Sequence, residues 1–147
     1  MRILFIFLFG APLFAQQDAA IERAVLAANA QVTQAAEARN LDRLFSFMLD
    51  TGKGSIVQNG VLSLTPQDAK AKLAPGFGAP VKVAYRWKQQ LVTVLSPTSA
   101  LLVSEGDTAI STPNAEPVIV PFVQTAVWVL RDGSWKILHA HQSSPPR

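Results

Sequence analysis

The 147-residue chain contains no cysteine. It can form neither the disulfides that staple many small secreted domains nor the lipidated cysteine of a lipoprotein. Its fold must rest on a packed core. Charge is also sparse: Asp, Glu, Lys and Arg make up 16% of residues against 49% apolar ones, which excludes a disordered chain. The Lys and Arg residues are scattered, so the basic stripe that meets phosphates is missing and no nucleic-acid partner is expected. Neither a Gly-rich phosphate loop nor a nucleophile elbow is present, and no motif calls for a cofactor. The length suits one domain.

No apolar run reaches the roughly 20 residues that cross a bilayer, so no permanent membrane span is expected. The strongest run is at the start: Met1-Arg2, apolar Ile3 to Phe9, then Gly10-Ala11-Pro12-Leu13-Phe14-Ala15 before the polar Gln16-Gln17-Asp18. One positive charge, a short apolar stretch, a Pro/Gly break and a small residue form the pattern of a secretory signal peptide. The expected organisation is a signal peptide over 1–15, a folded domain over 16–143 and a flexible tail over 144–147. The expected location is periplasmic or extracellular. Without Arg2 the count is twelve Lys and Arg against ten Asp and Glu, a net charge of +2.

Helices come first and strands after. From Asp18, read as an N-cap, apolar residues recur at Ile21, Val25, Ala28 and Val32, with Glu22, Arg23, Asn29 and Arg39 on other faces. Asn40 re-caps the chain for a short helix through Leu41, Leu44, Phe45 and Met48, ending near Asp50-Thr51-Gly52. Asn59-Gly60 joins Ser55–Gln58 to Val61–Leu64 as a tight type I′ hairpin, because both turn residues tolerate positive φ. Thr65-Pro66 starts a third helix, which should stop by Ala74-Pro75-Gly76. Four long strands follow, within Val81–Leu95, Ser99–Ser111, Val118–Arg131 and Ser134–Ser143, in an antiparallel meander. The class is α+β, with the helices packed on one face of a curved sheet.

This element order, with the ending Val127-Trp128-Val129-Leu130-Arg131-Asp132-Gly133-Ser134-Trp135-Lys136-Ile137-Leu138-His139-Ala140-His141-Gln142-Ser143, resembles the nuclear transport factor 2-like superfamily. The SnoaL-like branch and the association domain of calcium/calmodulin-dependent kinase II share that type of ending. The resemblance spans residues 18–143. It implies a cystatin-like, cone-like curved antiparallel sheet with the N-terminal helices packed on its concave face, a cavity between them, and commonly a homodimer through the sheet. The superfamily's steroid isomerisation needs an Asp base with a Tyr and a protonated Asp as donors. Aligned on Asn40-Leu41-Asp42, the tyrosine position falls near Val32 and the base in Val57-Gln58-Asn59, where neither group is present. Ketosteroid-isomerase chemistry is therefore not expected, and no catalytic residue is assigned.

The candidate site residues are His139, His141, Gln124, Trp128 and Arg86. Strict alternation puts Trp135, Ile137, His139, His141 and Ser143 on one face, with the histidines about 7 Å apart. They could satisfy neighbouring elements or a dimer interface, line the cavity, or hold a metal with Glu105 or Asp107 as third ligand. No metal is assigned. Gln124 and Trp128 share a face with Phe122 and Ala126, which suits a cavity wall or an interface. Arg86 could face solvent or anchor a ligand carboxylate. The expected function is binding of a small, mainly apolar ligand by an exported homodimer. The alternatives are a SnoaL-like isomerase, cyclase or hydrolase using a pocket histidine, and an oligomerisation module without ligand.

Overall fold

A computed structural model describes residues 11–50 and 55–145. The chain runs through α1 (Ala11–Glu37), α2 (Leu41–Phe45), β1 (Ser55–Gln58), β2 (Val61–Ser63), α3 (Pro66–Phe77), β3 (Lys82–Ser96), β4 (Ser99–Ser111), β5 (Val118–Arg131) and β6 (Ser134–Ser143). The six strands form one sheet in the order β2-β1-β6-β5-β4-β3. β3 to β6 are the expected antiparallel meander. The β1–β2 hairpin docks on the free edge of β6, with β1 running parallel to β6.

Two features of the expected sheet are not found. It is mixed rather than wholly antiparallel, and it is neither closed nor strongly curled, so the cystatin-like cone does not describe it. Its edges are a three-residue β2 and a fifteen-residue β3. Strands so unequal offer little matching backbone to pair, and the sheet stays open. What remains of the expectation is an α+β domain with α1 against the sheet.

Local chemistry explains most element ends. Asn40 caps α2 by accepting from the Arg43 amide, and Thr65 caps α3 by accepting from the Asp68 amide, with Pro66 at the first helical position. Asn59 (φ 48°) and Gly60 (φ 80°) make the hairpin turn, and Asp132 (φ 50°) with Gly133 (φ 72°) repeats that geometry between β5 and β6. Three ends differ from expectation. Helix α1 is already formed at Ala11, so Asp18 lies inside it and is not its N-cap. Helix α2 stops at Phe45 because the next backbone turns to β6: the Ile137 amide donates to the Phe47 carbonyl, and the Leu49 amide donates to the Ile137 carbonyl. Helix α3 continues past Pro75 to Phe77. The terminal residues 1–10, the expected α2 end at Thr51-Gly52, and Pro146-Arg147 lie outside the described residues.

The core lies between α1 and the sheet. Ile21 and Val25 of α1 meet Ala100 and Leu102 of β4, Ala126 and Trp128 of β5, and Ile137 of β6. Burial of a Leu or Val side chain contributes about 1.5–3 kcal/mol, and Leu102 and Val25 are completely enclosed. At Gly106 a Cβ would sit 2.4 Å from the Arg86 carbonyl oxygen, so only glycine permits β3 and β4 to approach beside the irregularity between Trp87 and Gln89.

Candidate functional site

A cavity of about 150 Å³ opens between α1, the end of α2 and the segment after it, α3 and the inner face of β1, β3 and β6. That is the size of void that takes a benzene ring. Its apolar wall includes Phe45, Met48, Phe77 and Ile137, and its polar groups are Asn29, Thr33, Gln58, Tyr85 and Gln142. Among the described residues its lining contains no Asp, Glu, Lys, Arg or His.

Several tethers hold α3 over this space. Lys72 donates to the Leu62 carbonyl (3.0 Å), the Ser63 hydroxyl (3.2 Å) and the Asp68 carboxylate (2.8 Å), and Lys70 pairs with Asp42 at 2.6 Å. The hydrogen bond from Lys72 holds the Asp68 carboxyl below its ordinary range. Arg39 donates to the Gly76 carbonyl and lies 5.5 Å from the centre of the Phe77 ring, joining the ends of α1 and α3. Leu73 and Phe77 are thereby presented to the cavity.

The far wall is aromatic. Tyr85 and Trp87 lie two apart on β3 and share a face; each meets Phe122 of β5 edge to face, at 5.6 and 5.2 Å between ring centres. Trp87 Nε1 donates to the Thr33 hydroxyl (3.2 Å), which donates to the Asn29 carbonyl (3.0 Å), fixing this wall to α1. Tyr85 is held above its ordinary pKa of 10.0, first by burial and then by the Glu37 charge. At neutral pH its phenol is protonated and available as a donor.

Asn29 is the residue that helical spacing misplaced. It lies four residues beyond Val25 and eight beyond Ile21, on the buried stripe rather than on another face, and is 1% exposed. Among the described residues neither its side-chain oxygen nor its nitrogen has a hydrogen-bond partner. Strand register supplies a second polar feature. Gln90, Ser104, Gln124, Gln142 and Gln58 are successive partners across β3, β4, β5, β6 and β1, one row beyond the apolar row of Val92, Leu102, Ala126, Ala140 and Ile56. Two members of the polar row, Gln58 and Gln142, line the cavity.

None of the five residues singled out from sequence lines this cavity. The pairs Val127–His139 and Trp128–Ile137 leave Leu138 as an extra residue in β6. That bulge reverses the alternation, so Ile137, Ala140 and Gln142 face the helices while His139 and His141 face the opposite side. His139 is half-buried there and His141 is exposed. Arg86 is exposed on the same outer face, opposite Asp107 in the register. Gln124 is half-buried in the polar row. Trp128 is fully buried in the core, its Nε1 without a partner among the described residues. Asp107 pairs with Lys88 at 2.8 Å, and among the described residues no three metal-ligating groups lie together. Val32, Val57 and Gln58 do line the cavity, and none of them accepts a proton at neutral pH.

The fold and site define a small α+β domain whose helices enclose a mainly apolar cavity against a mixed sheet. Residues 25–147 match the SnoaL-like domain, and the chain belongs to that family. No curated protein matches the chain. Three solved structures show the fold. A candidate scytalone dehydratase from Novosphingobium aromaticivorans has a TM-score of 0.80 at 13% identity, covering 90% of this chain and 89% of its own. A candidate dehydratase of the NTF2-like family from Streptomyces avermitilis has a TM-score of 0.74 at 19% identity, with 85% and 96% covered. A calcium/calmodulin-dependent protein kinase II association-domain candidate from Xanthomonas campestris has a TM-score of 0.72 at 18% identity, with 85% and 88% covered.

Proposed function

We propose that this SnoaL-like protein binds a small, uncharged, mainly apolar molecule in the α1–α3 cavity, and that binding rather than catalysis is its role. The observation that carries this reading is the lining, where Tyr85 is the single ionisable side chain among the described residues. General acid–base chemistry needs a group that accepts a proton within hydrogen-bond reach of the substrate. A half-buried phenol held above its ordinary pKa is a donor instead. Calorimetric titration with single-ring probes, toluene and benzamide, tests the reading. Saturable binding that is lost in Ala140→Phe, whose ring fills the cavity, is the expected result; no saturable binding, or binding indifferent to that substitution, overturns it.

The reading extends to a homodimer and to export. The outer face carries Leu91 (56% exposed), Val103 (43%) and Val123 (52%) on neighbouring strands, an apolar patch that a second copy would cover. Light scattering should give a dimer that Val103→Lys converts to monomer, and a strict monomer contradicts it. Among the described residues, the buried ones of α1 run from Ile21 to Ala35, and removal of residues 1–15 leaves them in place. Intact mass of protein from the native host should correspond to a chain starting at Gln16; a mass that includes Met1–Ala15 contradicts export by cleavage.

A further inference from the structure

We infer that the molecule this cavity selects is a neutral single-ring compound carrying a hydrogen-bond acceptor beside a donor on one planar group, as in a carboxamide or lactam. This rests on the cavity being a ligand site and specifies what enters it. The central observation is Asn29. The residue lines the cavity and is 1% exposed, and neither heteroatom of its side-chain amide has a hydrogen-bond partner among the described residues. Its neighbour Thr33 is engaged with the Trp87 indole and the Asn29 backbone carbonyl. The Asn29 amide is therefore the polar group on the helix side that is left to meet a ligand.

A primary amide presents one acceptor and two donors in a plane, and the groups that match it two at a time are other planar pairs of donor and acceptor. Both oxygen and nitrogen of Asn29 are then satisfied by one partner. The opposite wall repeats the chemistry, because Gln58 and Gln142 reach the cavity from the polar row of the sheet. In a space of about 150 Å³ a ring that touches α1 also approaches β1 and β6. The remaining lining is apolar and aromatic and suits the ring itself.

Charge selects as strongly as shape. Among the described residues the lining offers no cation to a carboxylate and no anion to an ammonium, and either would be costly to bury unpaired. A plain hydrocarbon ring enters at the cost of leaving the Asn29 amide unpaired, and a site built around buried hydrogen-bonding groups rejects an analogue that lacks them. The discrimination therefore runs in one order: neutral amide first, hydrocarbon second, carboxylate last.

Isothermal titration of the full chain with benzamide, toluene and benzoate reads this order, since benzamide and benzoate match in size and shape and differ in charge. Benzamide is expected to bind about 10-fold or more tightly than toluene, and benzoate not measurably. In Asn29→Leu, benzamide should fall to the level of toluene while toluene is retained or improved; Gln58→Leu, on the sheet wall, should weaken benzamide alone and serves if the first variant does not fold. Toluene equal to benzamide, benzoate equal to benzamide, or an unchanged benzamide preference in Asn29→Leu each overturns the inference while leaving a ring-binding cavity. Failure of all three probes to bind overturns the cavity reading itself.

Discussion

Replacing Asn29 by leucine should stabilise the ligand-free protein. The substitution keeps four side-chain heavy atoms, places leucine's extra bulk beside the cavity, and removes two buried heteroatoms that have no partner among the described residues. A buried polar group left unsatisfied costs about 1–3 kcal/mol. Water admitted to the cavity would hydrogen-bond the amide and bring the gain toward the lower figure. Leucine also favours a helix interior over asparagine by about 0.5 kcal/mol, in the same direction. The net expectation is a gain of about 1–3 kcal/mol, or about 4 °C in Tm per kcal/mol for a domain of this length. Urea denaturation with fixed m-value and a thermal melt would measure it. A loss of 1 kcal/mol or more would mean that the folded protein itself pairs the amide, and the polar wall of the cavity would lose its meaning. A gain accompanied by lost benzamide binding would show stability given up for function at this position.

Three further outcomes follow from the packing. Gly106→Ala places a methyl group against the Arg86 carbonyl and should destabilise the protein by about 2–4 kcal/mol in urea melts; a change under 0.5 kcal/mol would mean that β3 and β4 are farther apart than described. Tyr85 is the chain's one tyrosine, so absorbance at 295 nm follows it alone: it should titrate above 10.0 in the native protein and near that value in denaturant. Because its folded pKa is raised, the unfolded chain releases the proton first, and this residue's contribution is complete below pH 10.0 and lost as pH rises through the folded pKa. Thr65→Ala removes the cap of α3 and should cost about 1 kcal/mol, seen as faster hydrogen exchange in Pro66–Phe77; unchanged exchange there would show that the Lys72 tethers suffice.

The legible parts of the sequence were those with local causes. Asn59-Gly60, Asn40 and Thr65-Pro66 act through their own backbone and neighbouring amides, and each marks the expected turn or cap. The four long strands were visible in their Val, Thr and aromatic content. The bulge at Leu138 was not legible, because an extra residue in a ladder is defined by the partner strand. Its consequence is large: one residue moves His139 and His141 from the helix side to the outer face. Openness of the sheet likewise depends on how its two edges match, which no single segment encodes. Asn29 could have been found, since positions 21, 25 and 29 share a helical stripe, and a lone amide on an otherwise apolar stripe is the unusual observation.

Ligand selection by this fold comes down to whether a neutral ring meets Asn29 inside the cavity. The most direct measurement is the nitrogen–proton correlation spectrum of the labelled protein during titration with benzamide, with the side-chain NH2 of Asn29 assigned by its loss in Asn29→Leu. Saturable movement of that resonance together with the Trp87 indole, and no movement of the Gln89 side-chain amide on the outer face, is the predicted result. An Asn29 resonance that stays fixed while benzamide binds elsewhere, or a protein that ignores benzamide throughout the titration, would contradict it.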